Sequence, residues 1–235
     1  MSYSSLEGAL ALLADLRTDD ASMAEPFARL LPVTGSAVST VGELLGSETL
    51  AASDPLAAEI DELQFDLGEG PSWDAARGSH PVLTGDLRGA IALWPVFAPA
   101  AASRGVRSIF AFPLAIGPLR FGAVDLYSTS SLELGAADRD VASLLAGTVG
   151  RRVLHRALAA IASPEEATTS PFSRRIVQQA TGMVLAQLDI SAEDAKLVIQ
   201  GHAYANGQTM MEVAERLVER RLRFTRTGTG IEERS

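Results

Sequence analysis

GVRSIFAFPLAIGPLRFGAVDLY, Gly105–Tyr127, holds two apolar runs, Val106–Ile116 and Arg120–Tyr127, parted by Gly117 and Pro118. Aromatic and β-branched residues at this density suit a buried pleated surface, and Gly-Pro interrupts helix and strand alike. The stretch therefore predicts a hairpin of two central strands. Upstream, Ala37–Leu44, Thr49–Ala52 and Val82–Leu83 carry shorter strand patterns. Helical patterns surround them. Leu6, Leu10, Leu13 and Leu16 form one stripe within Ser5–Arg17; Met23–Leu31 follows Ser22 as a cap and ends at Pro32; a third helix starts at Asp54 and Pro55 and runs to about Phe65. Gly68, Gly70 and Pro71 break the chain before a short helix, another covers Trp94–Ser103, and a long one spans Ala136–Ile161. Helices before, within and after a mostly antiparallel meander predict an α+β fold, an antiparallel sheet with flanking helices on at least one face.

Beyond the long helix, Ser163–Pro171 reads SPEEATTSP, two prolines among acids and hydroxyls, and predicts a linker. Three short helices follow, an all-α three-helix bundle. The first, Arg174–Leu188, places Ile176, Ala180, Met183 and either Val184 or Gln187 on one face. Ser191 with Asp194 opens the second, and Thr209 with Glu212, at full capping-box spacing, opens the third, whose Val213, Leu217 and Leu222 point inward. The resulting domains are 1–162, with a core at about 20–160; a linker at 163–172; a helical domain at 173–226; and a Gly- and charge-rich tail, 227–235, expected to be disordered.

Composition removes many functions. The 235 residues contain no cysteine, which excludes disulfides, thiolate catalysis, zinc ribbons and iron–sulfur ligation. Lys196 is the one lysine, so no phosphate-binding loop of the Gly-Lys-Ser/Thr type exists. His80, His155 and His202 fall in different elements without metal-ligand spacing, and the pairs Asp61–Glu62 and Asp138–Asp140 are placed on solvent faces of helices. Neither a catalytic residue, a metal ligand nor a cofactor is predicted, and the chain is not read as an enzyme. The opening residues carry acids and no basic segment, and no apolar run reaches membrane-spanning length, which predicts a cytoplasmic protein with no membrane partner. The net charge of −9 is unevenly spread. Residues 1–170 hold 11 Arg against 21 acids, and residues 171–235 hold 9 basic residues against 8. Any contact with a polyanion is thus local to the C-terminal part.

Within that part, Ser173–Phe224 resembles the ANTAR domain of transcription antitermination regulators, in the form common in actinobacteria. The matching pieces are QATGM at Gln179–Met183, Ala195, Ala203 and Tyr204, the step Glu212–Ala214, and the basic end ERRLRF. Read as packing alone, Ala180, Ala195, Ala203 and Ala214 let helices approach closely, and Gly182 does likewise. What the resemblance adds is dimerisation and binding of paired RNA stem-loops, an antiterminator being stabilised over a terminator hairpin. Loop recognition calls for exposed Arg, amide and aromatic groups. On this basis Arg174, Arg175, Gln178, Tyr204, Arg216, Arg220 and Arg221 are the RNA-binding candidates. Arg216, Arg220 and Arg223 are expected along one helical face, with Glu212 and Glu215 as competing partners. Gln208 is neutral where relatives often carry a basic residue.

The N-terminal part resembles GAF domains of actinobacteria through GEGPSWDAARGSHPVLTGDL at Gly68–Leu87, WPVF at Trp94–Phe97, GVRSIFAFPL at Gly105–Leu114 and FGAVDLY at Phe121–Tyr127. The resemblance implies a small-molecule ligand, as yet unknown, or a dimerising scaffold. Trp73, Asp86, Trp94, Phe112 and Tyr127 are candidate pocket residues. Ser72 stands where relatives often carry Cys, so no thiol redox sensing is expected. The reading is a signal-responsive RNA-binding antitermination regulator. Its homodimer is expected through the apolar stripe Val141, Leu144, Leu145, Val149, Val153 and Leu154. The alternative is a DNA-binding helix-turn-helix factor built on Ser191–Arg223, against which Met210, Met211 and Glu212 stand where a recognition helix carries base-reading groups.

Overall fold

The computed structural model describes residues 5–42, 45–78, 80–162, 174–227 and 230–234. The chain divides into two units, Met1–Phe172 and Ser173–Ser235. The predicted linker lies outside the described residues.

In the first unit the strands β1 (Gly35–Thr40), β2 (Glu48–Ala52), β3 (Val82–Thr84), β4 (Ser108–Ile116) and β5 (Leu119–Ser128) form an antiparallel sheet of order β2-β1-β5-β4-β3. The predicted central hairpin is β4–β5, turning at Gly117, whose φ of 58° lies in the left-handed region that glycine adopts without strain. Register sorts the strand residues onto two faces. Val38, Phe112 and Val124 align on one; Ala37, Ala111 and Asp125 align on the other.

The first face is covered by α1 (Leu6–Ala14), α2 (Glu25–Leu30) and α6 (Ala136–Ala162). Phe27, Phe110, Phe112, Phe121 and Leu126 fill this layer. Ser22 does not cap α2. Asp19 instead accepts from the Ala21 amide and opens a 3-10 turn, Asp20–Met23, ahead of α2. The stripe on α6 also differs from expectation. Leu145, Val149 and Val153 are buried with Ala142 and Ala146 against the sheet, while Leu144 and Leu158 face outward. Buried Arg152 ties α6 to the N-terminal segment, its Nε 3.1 Å from Asp20 Oδ1 and its Nη1 3.1 Å from the Asp15 carbonyl.

The second face carries α3 (Pro55–Leu67), α4 (Pro71–Arg77) and α5 (Phe97–Ser103). Asp54 caps α3 through the Ala57 amide, and Pro55 sits in its first turn, where a missing amide proton costs nothing. Methyl-sized residues let α4 lie directly on the sheet, Ala75 packing with Ala111 and Ala123.

The second unit packs α7 (Arg175–Leu188), α8 (Ala192–Asn206) and α9 (Met210–Val218). Both predicted caps form: Ser191 accepts from the Asp194 amide, and Thr209 and Glu212 close a reciprocal capping box. The inward face of α7 is Val177, Ala180, Val184 and Leu188, one residue along from the predicted Ile176 and Met183, both of which are half-buried. Ala195, Ala203 and Ala214 are buried as the packing reading requires. Gly182 is not. It lies exposed, and a Cβ built there meets no atom within 4 Å; the same holds for Gly201.

The described residues of the tail, which was expected to be disordered, lie in strands. Strands β6 (Arg223–Thr227) and β7 (Gly230–Arg234) pair antiparallel. Phe224 is the cause: it is buried, its amide donates to Gln187 Oε1 at 2.9 Å, and its ring meets His202 edge-on at 5.3 Å. Glu233 stands 3.3 Å from the same imidazole.

Alanine is about 1 kcal/mol better than glycine inside an exposed helix. Gly182→Ala and Gly201→Ala are therefore each expected to stabilise the second unit by up to about that amount. Urea unfolding midpoints read this directly, and a lower midpoint in either variant would mean that its glycine is a packing residue.

Candidate functional site

On the second face of the first unit, a chain of buried polar groups runs from α3 and α4 to β5. Asp125 is 4% exposed. Its Oδ2 accepts from Gln64 Nε2 at 2.6 Å and from the Ser72 hydroxyl, while Gln64 Oε1 accepts from the Ser72 amide at 2.9 Å. Its Oδ1 is buried with no hydrogen-bond partner among the described residues. Gly70, at φ 131°, is required beside this group, because a Cβ there would stand 2.5 Å from Gln64 Oε1. Asp61 is buried too, accepting from the Thr49 hydroxyl, and so corrects the expectation that it lies on a solvent face. The reason is that α3 packs against β1 and β2, which turns the Ile60–Asp61 edge inward. Burial, and then the nearby charge of Asp61, push the Asp125 carboxyl up to about 7, against the hydrogen bonds from Ser72 and Gln64.

The five predicted pocket residues do not line one pocket. Trp94 is core, edge-on to Phe97 at 6.1 Å, with its indole N–H donating to Asp74 at 2.9 Å. Tyr127 is core on the same face, its hydroxyl donating to Asp54 Oδ1 at 2.8 Å; burial and that carboxylate push its phenol up. Trp73 donates to the Gln64 carbonyl at 2.8 Å and carries the Arg77 guanidinium 5.5 Å from its ring centre. Phe112 lies across the sheet, in register with Val124 on the opposite face. Asp86 lines a cavity. That cavity, of about 330 Å³, is lined also by Arg88, Arg107, Thr129, Ser130 and Ser131. Among these groups the sequence reading passed over Gln64, Ser72 and Asp125 as site residues. The signal was there, since Asp125 is an acid in the middle of the apolar run FGAVDLY.

In the second unit, Arg174 is 3% exposed and is withdrawn as a surface contact. Burial, and then this charge, lower the Lys196 ammonium. Arg175 and Gln178 are exposed on α7. Tyr204, 65% exposed on α8, follows exposed Leu197 and Gly201 at spacings that put all three on one face. Arg216 is half-buried and donates to Gln208 Oε1 at 3.0 Å. The predicted strip Arg216, Arg220 and Arg223 does not form. Helix α9 ends at Val218, Arg220 takes a left-handed φ of 61°, and Arg223 begins β6. Glu212 serves the capping box, accepting from the Thr209 amide at 2.8 Å, and does not compete for Arg216. Arg220 and Arg221 are both exposed, and Arg221 Nε donates to Glu219 Oε2 at 2.6 Å.

A helix-covered antiparallel sheet with a buried polar cluster is thus joined in one chain to a separate helical unit. The described residues contain no metal-binding group of three or more His, Cys, Asp or Glu. The chain belongs to the GAF domain family, which it matches over residues 13–153, and residues 165–218 match the ANTAR domain. Two solved structures show the same fold in the first unit. The GAF domain of an Acinetobacter phosphoenolpyruvate-protein phosphotransferase is 13% identical with a TM-score of 0.52, over 67% of this chain and 93% of that one. The free methionine-R-sulfoxide reductase of Neisseria meningitidis, solved with its substrate, is 17% identical with a TM-score of 0.50, over 68% and 96%. No curated protein matches the chain.

The raised Asp125 carboxyl has a consequence for stability. The folded state keeps its proton up to about pH 7, whereas the ordinary value is 3.8, so stability falls as pH rises between the two. The steepest slope from one such group is about 1.4 kcal/mol per pH unit. Asp125→Asn, which keeps an acceptor for Gln64 and Ser72, is expected to flatten this decline in denaturation measured from pH 4 to 8. Equal slopes in the two proteins would contradict it.

Proposed function

We propose that this chain is a signal-responsive, RNA-binding regulator of transcription antitermination that acts in the cytoplasm. In this reading the GAF domain senses a small ligand, and the ANTAR domain binds RNA stem-loops. The observation that carries the reading is Tyr204, an aromatic ring 65% exposed on a helix flank. A solvent-facing aromatic in a small helical unit forgoes burial, and single-stranded bases stack on such rings. Gly201, one turn before it, leaves room for close approach, as Gly182 does on α7, where Arg175 and Gln178 are exposed. With Arg174 buried, the contact set reduces to Arg175, Gln178, Tyr204, Arg220 and Arg221, with Arg216 holding Gln208.

The geometry does not favour reading duplex DNA. At the start of α9, Met210 is buried and Glu212 is spent in the capping box, leaving no base-reading group there. No helix among the described residues is long and apolar enough to cross a membrane. The regulator is proposed to act as a homodimer, supported by the outward leucines Leu144 and Leu158, two apolar side chains on the face of α6 that the sheet does not cover.

Binding to an RNA hairpin with an unpaired loop, compared with duplex DNA of equal length, tests the reading. RNA is expected to bind more tightly. Tyr204→Ala is expected to weaken it about tenfold, the loss of one stacked base, without a change in unfolding midpoint. Tighter binding to the duplex, or a Tyr204→Ala protein that binds as well as the native chain, would overturn the reading. Light scattering on the same samples should give twice the chain mass, and a single chain mass removes the homodimer.

A further inference from the structure

We propose that the cavity beside Arg88 and Arg107 binds the oxyanion of a small metabolite, a phosphate or a carboxylate. It gives the signal a chemical class and in that respect rests on the sensor reading above; as a binding site it stands independently.

The argument begins with what arginines in this unit do. Residues 1–170 hold 11 of them in strongly acidic surroundings. Arg17, Arg29, Arg104, Arg152 and Arg156 pair with carboxylates, and Arg77 lies on the Trp73 ring. Arg139 and Arg151 donate to a carbonyl and a hydroxyl, and Arg120 is likewise engaged. Among the described residues of this unit, the Arg88 and Arg107 guanidiniums alone have no such partner, and both line the same cavity of about 330 Å³. Two guanidiniums and the Asp86 carboxylate line this one concavity, so its lining keeps an excess of positive charge that an anion would neutralise. A guanidinium fork matches the oxygens of carboxylate and phosphate, and Thr129, Ser130 and Ser131 line the same wall, where the Ser131 hydroxyl donates to the Gly85 carbonyl at 3.1 Å.

The wall is held in place by the backbone. The Leu87 amide donates to the Arg107 carbonyl at 2.8 Å, and the Arg107 amide donates to the Ser128 carbonyl at 2.8 Å. Ser108 Oγ sits 2.7 Å from the Gly85 carbonyl and 3.0 Å from that of Ser130, and accepts from the Leu132 amide at 2.8 Å. The segments after β3, before β4 and after β5 are thereby fixed around one opening. Asp86 also lines it. Its Oδ1 accepts from the Arg88 amide at 3.1 Å, which caps the 3-10 turn Leu87–Ala90. Two guanidiniums and one carboxylate leave a lining of net charge +1, which suits a single oxyanion better than a di- or triphosphate.

Titration of the full chain with inorganic phosphate at constant ionic strength, followed by amide chemical shifts, tests the site. Saturable shifts are expected at Arg88, Ser130 and Ser131. Affinity should fall at least about tenfold in Arg88→Ala/Arg107→Ala. It should rise in Asp86→Asn, which keeps the capping acceptor and removes the opposing charge. Absence of saturable shifts up to about 50 mM phosphate, equal affinity in the double variant, or weaker binding in Asp86→Asn would each overturn the proposal. Phosphate binding that leaves RNA-hairpin affinity unchanged upholds the site and counts against the sensor reading.

Discussion

Ala75 on α4 meets Ala111 and Ala123 on β4 and β5, and the rest of the first unit follows from that contact. With methyl groups on both sides, the helix lies flat on the sheet and delivers Ser72 to the Asp125 carboxylate. Gln64 reaches the same oxygen from α3 and holds the Ser72 amide, so two helices are fastened to one buried acid. A larger side chain at Ala111 or Ala123 would lift α4 and strip donors from a carboxylate that cannot reach water, a loss of roughly 1–3 kcal/mol per unmet group in addition to the steric cost. The same contact fills the sheet face with protein. Trp94, Phe97, Ile109 and Tyr127 complete that layer, and the open cavity stands at the sheet's end, beside Asp86, Arg88 and Arg107.

Much of this was legible in the sequence wherever one local rule acted alone. The hairpin at Gly117, the Asp54–Pro55 start of α3 and the Thr209–Glu212 box each depend on residues a few positions apart, and each forms. What was not legible depended on which face a residue takes. Phe112 and Tyr127 look alike as aromatics in the same hairpin, yet strand register sends them to opposite sides of the sheet. Asp61 reads as one of a surface acid pair, and becomes a buried acceptor because Thr49 lies opposite on β2. In the second unit the basic end looks like a continuing helix. Buried Leu222 and Phe224 instead turn the chain back, which separates Arg216 from Arg220 and Arg223 and makes a hairpin of the tail.

Two departures from packing logic carry the functional reading. Gly182 and Gly201 are placed where nothing touches them, although alanine would strengthen either helix. Tyr204 and Leu197 remain exposed on α8, while the small Ala180, Ala195, Ala203 and Ala214 of the same unit are buried. Features that cost stability without serving the core are expected at a surface that receives another molecule. The near-neutral charge of residues 171–235, against the acidity of residues 1–170, makes this the part of the chain that a polyanion can approach.

The central claim is that RNA is received on α8 around Tyr204. Ultraviolet crosslinking of the full chain to a bound RNA hairpin, with the modified peptide mapped by mass spectrometry, tests it most directly. The account predicts a nucleotide attached to the peptide that contains Tyr204, and its loss when the loop bases are replaced by abasic sites. Crosslinks confined to residues 1–162, or attachment to α8 that persists on abasic loops, would contradict it.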